Sequence, residues 1–277
     1  MKKYTTIALL FLTTTLIFAQ NKEKIKGSKN VTTEKREIGP FSSIEIEDNI
    51  EVYLEMGEKP EIKIEADDNL QNIVSIDIKN NKLNVQTLKE AIRFKKLIVK
   101  ITYTKDLNIV TSRNDAAINA IQEVQLDSIT FKSFDASKLF LNVNTKHFYL
   151  ESNDKSKVEL NLKSEKSKIV LSQNASLKAL ITTTDLITDL YQKSEAKIEG
   201  TATDALFRID SNSNLTANNL TVKNIEVTAE GDSDCSVNAL TNIIIIASGK
   251  SQIELYGDPK IEMRKFTDEA KLIKKTK

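Results

Sequence analysis

The chain has 277 residues, 40% hydrophobic and 29% charged, enough to bury a sizeable core in one large domain or two small ones under a well-solvated surface. Its 40 basic and 39 acidic side chains give a formal net charge of +1, which leaves no electrostatic case for nucleic acid as a partner. Tryptophan is absent and aromatics are 6%, so the composition does not advertise a broad stacking platform for sugars.

The first residues point to export. Lys2 and Lys3 form a short basic region, and "IALLFLTTTLIFA" follows as an apolar stretch too short and too rich in threonine for a stable membrane span. Residues 1–19 are therefore expected to be a signal peptide cleaved after Ala19, which exports the mature chain. Cleavage leaves 38 basic and 39 acidic side chains, net −1. No cysteine lies near that site to carry a lipid anchor.

Residues 20–37, "QNKEKIKGSKNVTTEKRE", are charged and nearly devoid of apolar side chains, which predicts a flexible linker. From Ile38 apolar and polar residues alternate: Ile44 and Ile46, then Ile50, Val52 and Leu54, then Ile62 and Ile64. Period-two alternation between "EDN", "MGEKP" and "ADDN" turns predicts strands. "SIDIKNNKLNVQT" reads as a hairpin about Asn80-Asn81, residues that tolerate positive φ. Lys95–Thr104 is a further strand, and Asp67–Val74 and Lys89–Phe94 are modest helix candidates.

Beyond Asn114 the text is periodic. A polar corner recurs at Ala117, Ser137, Ser156, Ser176, Ser194, Ser213, Ser233 and Ser251, at intervals of 18 to 20 residues. Between these lie Phe131, Leu150, Leu171, Leu190, Ile209, Val227 and Ile246, at 18 to 21. A fixed period of this length signals a solenoid. At about 3.3 Å per residue, a coil of about 19 residues holds two or three short strands and their corners but no strand-plus-helix unit. The predicted fold is all-β, a right-handed parallel β-helix over residues 38–261 as a single domain, with irregular N-terminal strands capping one end. Glycines number only 7, so Ser, Asn and Asp must make the corners. The inner column is read as Val158/Leu160, Leu177/Ala179, Ala196/Ile198, Leu215/Ala217, Val237/Ala239 and Ile253/Leu255. Lys157, Glu159, Lys178, Glu195, Lys197, Asn214, Thr216, Asn238 and Glu254 are read as facing water. Pro259 in "YGDPKIEMRK" is read as closing the stack, and residues 262–277 as a tail or short capping helix starting at Thr267 or Asp268.

"FSSIEIEDNIEVYLEMGEKPEIKIEADDNL", then "NNKLNVQT", then the serine-punctuated repeats ending in "IELYGDPKI", resembles the bacterial putative auto-transporter adhesin, head GIN domain family, over roughly Ile38 to Ile261. The opening Phe41…Ile44-x-Ile46 strand and the closing Tyr256-Gly257-Asp258-Pro259 carry the likeness most strongly. The resemblance implies a secreted or envelope-facing β-solenoid, in the periplasm or at the cell surface of a bacterium, and brings no catalytic residues with it. Family corners are often glycine-rich, whereas Ser, Asn, Lys and Asp stand at many of them here.

The residues carry little chemistry of their own. Cys235 is the single cysteine, so no intrachain disulfide forms, and the single histidine, His147, lies 88 positions away. A thiol nucleophile needs a base in reach, and zinc needs several such ligands. Asp185, Asp189, Asp204, Asp210, Asp232 and Asp234 are the candidate acids for a polysaccharide lyase or hydrolase. "GDSDC" and "ADDN" gather oxygens but match neither calcium-loop pattern, and turn chemistry accounts for both. No catalytic, cofactor-binding or metal-ligating residue is assigned. The expected function is a non-catalytic envelope module, adhesin-like, binding a glycan or an envelope protein.

Overall fold

The computed structural model describes residues 22–276; the stretch read as a signal peptide lies outside the described residues. The first strands are β1 (Lys24–Lys26), β2 (Val31–Glu37), β3 (Ser43–Ile46), β4 (Glu51–Met56) and β5 (Glu61–Asp67). A 3₁₀ helix over Asp68–Ile73 leads to β6 (Val74–Lys79), β7 (Lys82–Thr87), β8 (Glu90–Ile92), β9 (Leu97–Tyr103) and β10 (Ile109–Ser112). The long strands follow: β11 (Ala117–Ser133), β12 (Lys138–Ser152), β13 (Lys157–Leu171), β14 (Ser176–Leu190), β15 (Glu195–Ile209), β16 (Asn214–Ala229) and β17 (Asp234–Ala247). After them come β18 (Gln252–Tyr256), β19 (Lys260–Phe266) and β20 (Lys271–Lys274).

Each long strand pairs in parallel with the next, so stacked coils of about 19 residues make a β-solenoid of about 9 turns. In β13 the alternation of buried and exposed residues changes phase at Glu165–Lys166, and the same break recurs in β12 and β14, so each strand contributes two legs to its coil. On the first leg Val158, Leu160 and Leu162 point inward; on the second, Ser167, Ile169 and Leu171 do. Large and small residues alternate between coils: Leu177 lies between Val158 and Ala196, and Ala196 under Leu215. A leg exposes its inner face at top and bottom, so only the stack buries it. Every residue read into the inner column is buried, but in β17 the column runs two residues earlier than expected: Cys235 and Val237, not Val237 and Ala239, stack between Leu215/Ala217 and Ile253/Leu255, and Ala239 pairs with Val222 after the shift of register. Asn238 departs from its expected outward position: a shift of register between β16 and β17 sets it beside Thr221, 5% exposed, its Nδ2 3.4 Å from Thr221 Oγ1.

Backbone bonds between coils define the true corner column. The amides of Lys138, Lys157, Ser176, Glu195, Asn214, Asp234, Gln252 and Lys271 donate to the carbonyls of Ala116, Ser137, Ser156, Ala175, Ser194, Ser213, Ser233 and Ser251. The corner series read from the sequence is one residue late in two coils, because alanine occupies the buried corner there and Ala117 and Ser176 stand next to it. The second series mixes two inner columns. Phe131, Leu150 and Val227 share a column with Ile169, Thr188, Phe207 and Ile245, whereas Leu171, Leu190 and Ile209 align with Ser133 and Ser152. Ile246 belongs to neither, pairing with Thr228 on the outward parity. Two residues apart on one strand face the same way, so alternation alone does not separate the columns.

The corners turn through the left-handed region. Asn114, Asp135, Asp154, Gln173, Gln192, Ser211 and Asp268 have φ between 55° and 63° where Gly231 and Gly249 have 69° and 74°. Asp and Asn adopt this conformation more readily than other side-chain-bearing residues. Asp135 and Asp154 add a second bond: the amide of Asn114 donates to Asp135 Oδ2 at 2.9 Å, and that of Asp135 to Asp154 Oδ2 at 3.2 Å.

The N-terminal end folds back on itself. The coil of β3 and β4 stacks on β10 and β11 on one side and on β7 and β9 on the other, all in parallel. Antiparallel strands then terminate the stack, β5 against β9, β2 against β5, and β6 against β7. Asn80 and Asn81, φ 52° and 60°, make the expected tight hairpin turn between β6 and β7. The helix candidate at Asp67–Val74 is a 3₁₀ turn, and that at Lys89–Phe94 contains β8.

The segment predicted as a flexible linker is ordered from Lys22. β1 pairs with β8, and β2 pairs with β5 along its whole length. "VTTEKRE" has no apolar face because it is an edge strand, held through one row of backbone bonds while the other row meets water. Arg36 fastens it, Nη1 donating to the Val74 carbonyl at 3.0 Å and Nη2 to that of Gln71 at 2.9 Å.

At the other end the expected tail or helix is replaced by strands. β19 pairs with β17 and β20 with β18, forming a last coil. Pro259 sits in the corner between β18 and β19 and does not end the stack.

Candidate functional site

The two legs leave two long outer faces in which equivalent residues stack at the strand spacing of about 4.8 Å. On the first leg, Asn142 and Asn161 lie in register, Asn161 Nδ2 donating to Asn142 Oδ1 at 3.0 Å and Asn142 Nδ2 to the Ile121 carbonyl at 3.3 Å. Ile121 and Leu180, 65% and 55% exposed, flank this ladder. With Phe140 they line a shallow groove of about 600 Å³.

On the second leg a polar column runs Lys166, Asp185, Asp204, Asn224, Asn242 and Lys260. Asn224 Nδ2 donates to Asp204 Oδ1 at 2.8 Å, and Asn242 Nδ2 to Asn224 Oδ1 at 2.9 Å. Two residues further on, Ile187, Leu206, Glu226 and Ile244 form a parallel, mostly apolar strip. Apart from Lys166, the two columns line a groove of about 530 Å³.

The candidate acids do not converge. Asp185 and Asp204 are neighbours on this column. Asp189 is in a bidentate pair with Arg208, Nε to Oδ1 2.5 Å and Nη2 to Oδ2 2.8 Å. Asp210 sits at a corner, accepting the Ser211 amide at 2.6 Å. Asp232 and Asp234 occupy the next coil's corner. His147 faces outward on β12, and Cys235 is buried inside β17. Five coils separate these strands, roughly 24 Å. Burial, with the charges of Asp234 and Glu254, pushes the Cys235 thiol up to about 12, far from a thiolate at neutral pH.

The carboxylates of the "ADDN" cluster are occupied by the chain's own donors. Asp67, fully buried, accepts the amides of Lys29, Lys95 and Lys96 at 2.8 to 3.2 Å. Asp68 accepts the Ser28 hydroxyl at 2.5 Å and the Asn30 side-chain amide at 2.9 Å. Among the described residues no group of three or more His, Cys, Asp or Glu is placed to hold a metal, and no helix is long and apolar enough to cross a membrane. The asparagine ladders were not singled out from the sequence. Their signal was present: Asn142 and Asn161 stand four residues after Lys138 and Lys157, at the same outward position of consecutive coils.

The chain resembles solved structures across nearly its whole length. A putative adhesin from Parabacteroides distasonis is 19% identical, with TM-score 0.67, over 90% of this chain and 99% of that one. A putative adhesin from Parabacteroides merdae is 22% identical, with TM-score 0.64, over 92% and 98%. A protein from Parabacteroides distasonis described as a putative lipid binding protein is 16% identical, with TM-score 0.60, over 91% and 97%. At these identities the likeness is one of fold. No curated protein matches in sequence. The sequence profile of the putative auto-transporter adhesin, head GIN domain family matches residues 40–259, from the strand that opens the alternation to the proline after the last full first leg, and the chain belongs to that family.

Proposed function

We propose that this protein is a non-catalytic module of the bacterial envelope that holds an extended polysaccharide along the outer face of its second leg. The observation that carries this reading is the pair of neighbouring columns in the 530 Å³ groove. Asp204, Asn224 and Asn242 present carbonyl and carboxylate oxygens and amide hydrogens at a constant spacing, beside the apolar edge of Ile187, Leu206 and Ile244. A chain of hydroxyl-bearing rings offers the matching alternation of polar rim and apolar face. Family membership supports an adhesin-like role, and the basic-apolar opening of the sequence supports export.

The test is binding of the purified protein to a panel of acidic and neutral polysaccharides. The reading expects retention on at least one, weakened in Asp204→Ala and Asn224→Ala. Absence of binding to every member at millimolar concentration refutes it. The adjacency of Asp185 and Asp204 favours a second reading, a glycan-cleaving enzyme. Scoring the same incubations for new reducing ends or unsaturated products separates the two.

A further inference from the structure

The two ends of the solenoid are finished differently. At the N-terminal end, antiparallel strands and the charged edge β2 cover the core. At the C-terminal end the core columns run out into solvent. Ile243, Ile245 and Ala247 are each 0% exposed. Stacked directly on them, Ile261, Met263 and Phe266 are 44%, 50% and 36% exposed. Leu272, stacked on Ile253, continues the column of the other leg and is only partly buried. Among the described residues no strand pairs with the outer edges of β19 and β20, which offer their backbone donors and acceptors to solvent. An uncovered edge flanked by apolar side chains is a template for pairing with another strand.

We propose that this end is the interface of a two-fold dimer, tail to tail, in which β19 of one copy pairs antiparallel with β19 of a second. The strand is complementary to itself. Antiparallel pairing centred on Met263 sets Met263 against its own copy and places Glu262 opposite Arg264 on both sides of the axis. Glu262 and Arg264 are both about half exposed and already share a bond of 2.8 Å within one strand, and Arg264 also lies 3.7 Å from Glu226, so the pairing gives each a further partner of opposite charge. Opposite charges directly across an antiparallel pair are stabilising. Met263 of one copy then covers Met263 of the other, and Ile261 lies against the aliphatic stem of Lys265 across the pair.

The opposite end cannot substitute. Its edge strand β2 carries Glu34, Lys35, Arg36 and Glu37 and offers no apolar columns to receive Ile261 and Met263. Head-to-tail growth into a filament is therefore disfavoured. The tail-to-tail contact is isologous and closes at two copies.

The test is sedimentation velocity of the purified protein with two variants. The wild type is expected as a dimer that dissociates on dilution. Met263→Lys, which brings two ammonium groups together at the axis, is expected as a folded monomer with the circular dichroism of the wild type, since residue 263 is half exposed. Met263→Cys is expected to form a disulfide-linked dimer on mild oxidation, because the register opposes residue 263 to itself, while the buried Cys235 stays reduced. A wild type that is monomeric at every concentration overturns the proposal. So does open-ended growth, a Met263→Lys chain that remains dimeric, or a Met263→Cys dimer that does not cross-link.

Discussion

Arg208 on β15 clasps Asp189 on β14 with two nearly parallel hydrogen bonds, of 2.5 and 2.8 Å, across one step of the stack. The Asp189 side chain is 5% exposed and that of Arg208 44%, so the carboxylate depends on this partner while the guanidinium keeps its water. The bonds to Asp189 hold the Arg208 guanidinium above its ordinary pKa. Asp189 is thus committed to holding coils together, which removes it from the candidate acids. Arg208→Ala leaves a nearly buried carboxylate with only Lys168, 4.0 Å away, to answer it. Urea unfolding should show a loss of about 1–3 kcal/mol, with Arg208→Lys recovering part of it.

Asp67 makes the N-terminal cap sensitive to acid. Burial pushes its carboxyl up, but the amides of Lys29, Lys95 and Lys96 outweigh this and hold it below the usual range. A carboxyl lowered by folding contributes stability that is fully present above its unfolded value, about 3.9, and is lost as pH falls through the lower folded value. Asp67→Asn should cost about 1–3 kcal/mol at neutral pH, and its deficit relative to the wild type should shrink as pH drops below about 4. Gly27→Ala should resemble it, since an added methyl would collide with Asp67 Oδ2 and the Phe94 backbone. Unfolding measured along a pH series distinguishes a lost anion from generic damage.

Cys235 gives a probe of opening. With its thiol buried and its pKa raised to about 12, the native protein should be inert to thiol reagents at neutral pH and react at the rate of unfolding. Rapid stoichiometric labelling of folded protein would contradict the packing of β17.

The period of the solenoid was legible because each coil must repeat the same burial problem. Val158-x-Leu160-x-Leu162 and its successors announce a strand face, and Asn80-Asn81 announces a turn. What the sequence hides is pairing at a distance. β2 looks disordered because its order comes from β5, 30 residues away, through backbone bonds that leave no mark on composition. β19 hides for a related reason: Ile261 and Met263 alternate correctly, but Pro259 suggests a stop, although a proline in a corner costs no ladder bond. The polar ladder of the second face was invisible because Asp204, Asn224 and Asn242 become neighbours only once the register is known.

The buried serine pairs carry a testable exchange within the molecule. Ser152 Oγ and Ser156 Oγ, both 0% exposed, lie 2.6 Å apart, and Ser133 and Ser137 repeat the pair at 2.8 Å one coil below. One coil above, the same two positions are Leu171 and Ala175, so the stack accepts an apolar solution there. Ser156→Ala alone strands the Ser152 hydroxyl inside the core and should cost about 1–2 kcal/mol. Changing both to alanine removes donor and acceptor together, and the double variant should lose less than the sum of the single changes. A strictly additive cycle in thermal unfolding would show that the two hydroxyls do not depend on each other.

The corner column allows stability to be raised as well as lowered. Gln173 is exposed at φ 60°, in the position where the later coils have Gly231 and Gly249. A side chain in this region costs about 1 kcal/mol that glycine does not pay. Gln173→Gly should therefore stabilise the protein by several tenths to about 1 kcal/mol, even though glycine also loosens the unfolded chain. Gly200 presents the opposite case. It sits at a shift of register between β15 and β16 with φ 117°, and a methyl there would drive into the Ile181 carbonyl of the coil below. Gly200→Ala should cost more than Gln173→Gly gains, because it combines a forbidden φ with a clash against backbone that the ladder holds in place. Melting temperatures of the two variants should move in opposite directions, and a neutral Gly200→Ala would mean that the bulge relaxes without disturbing the pairing of β14 with β15.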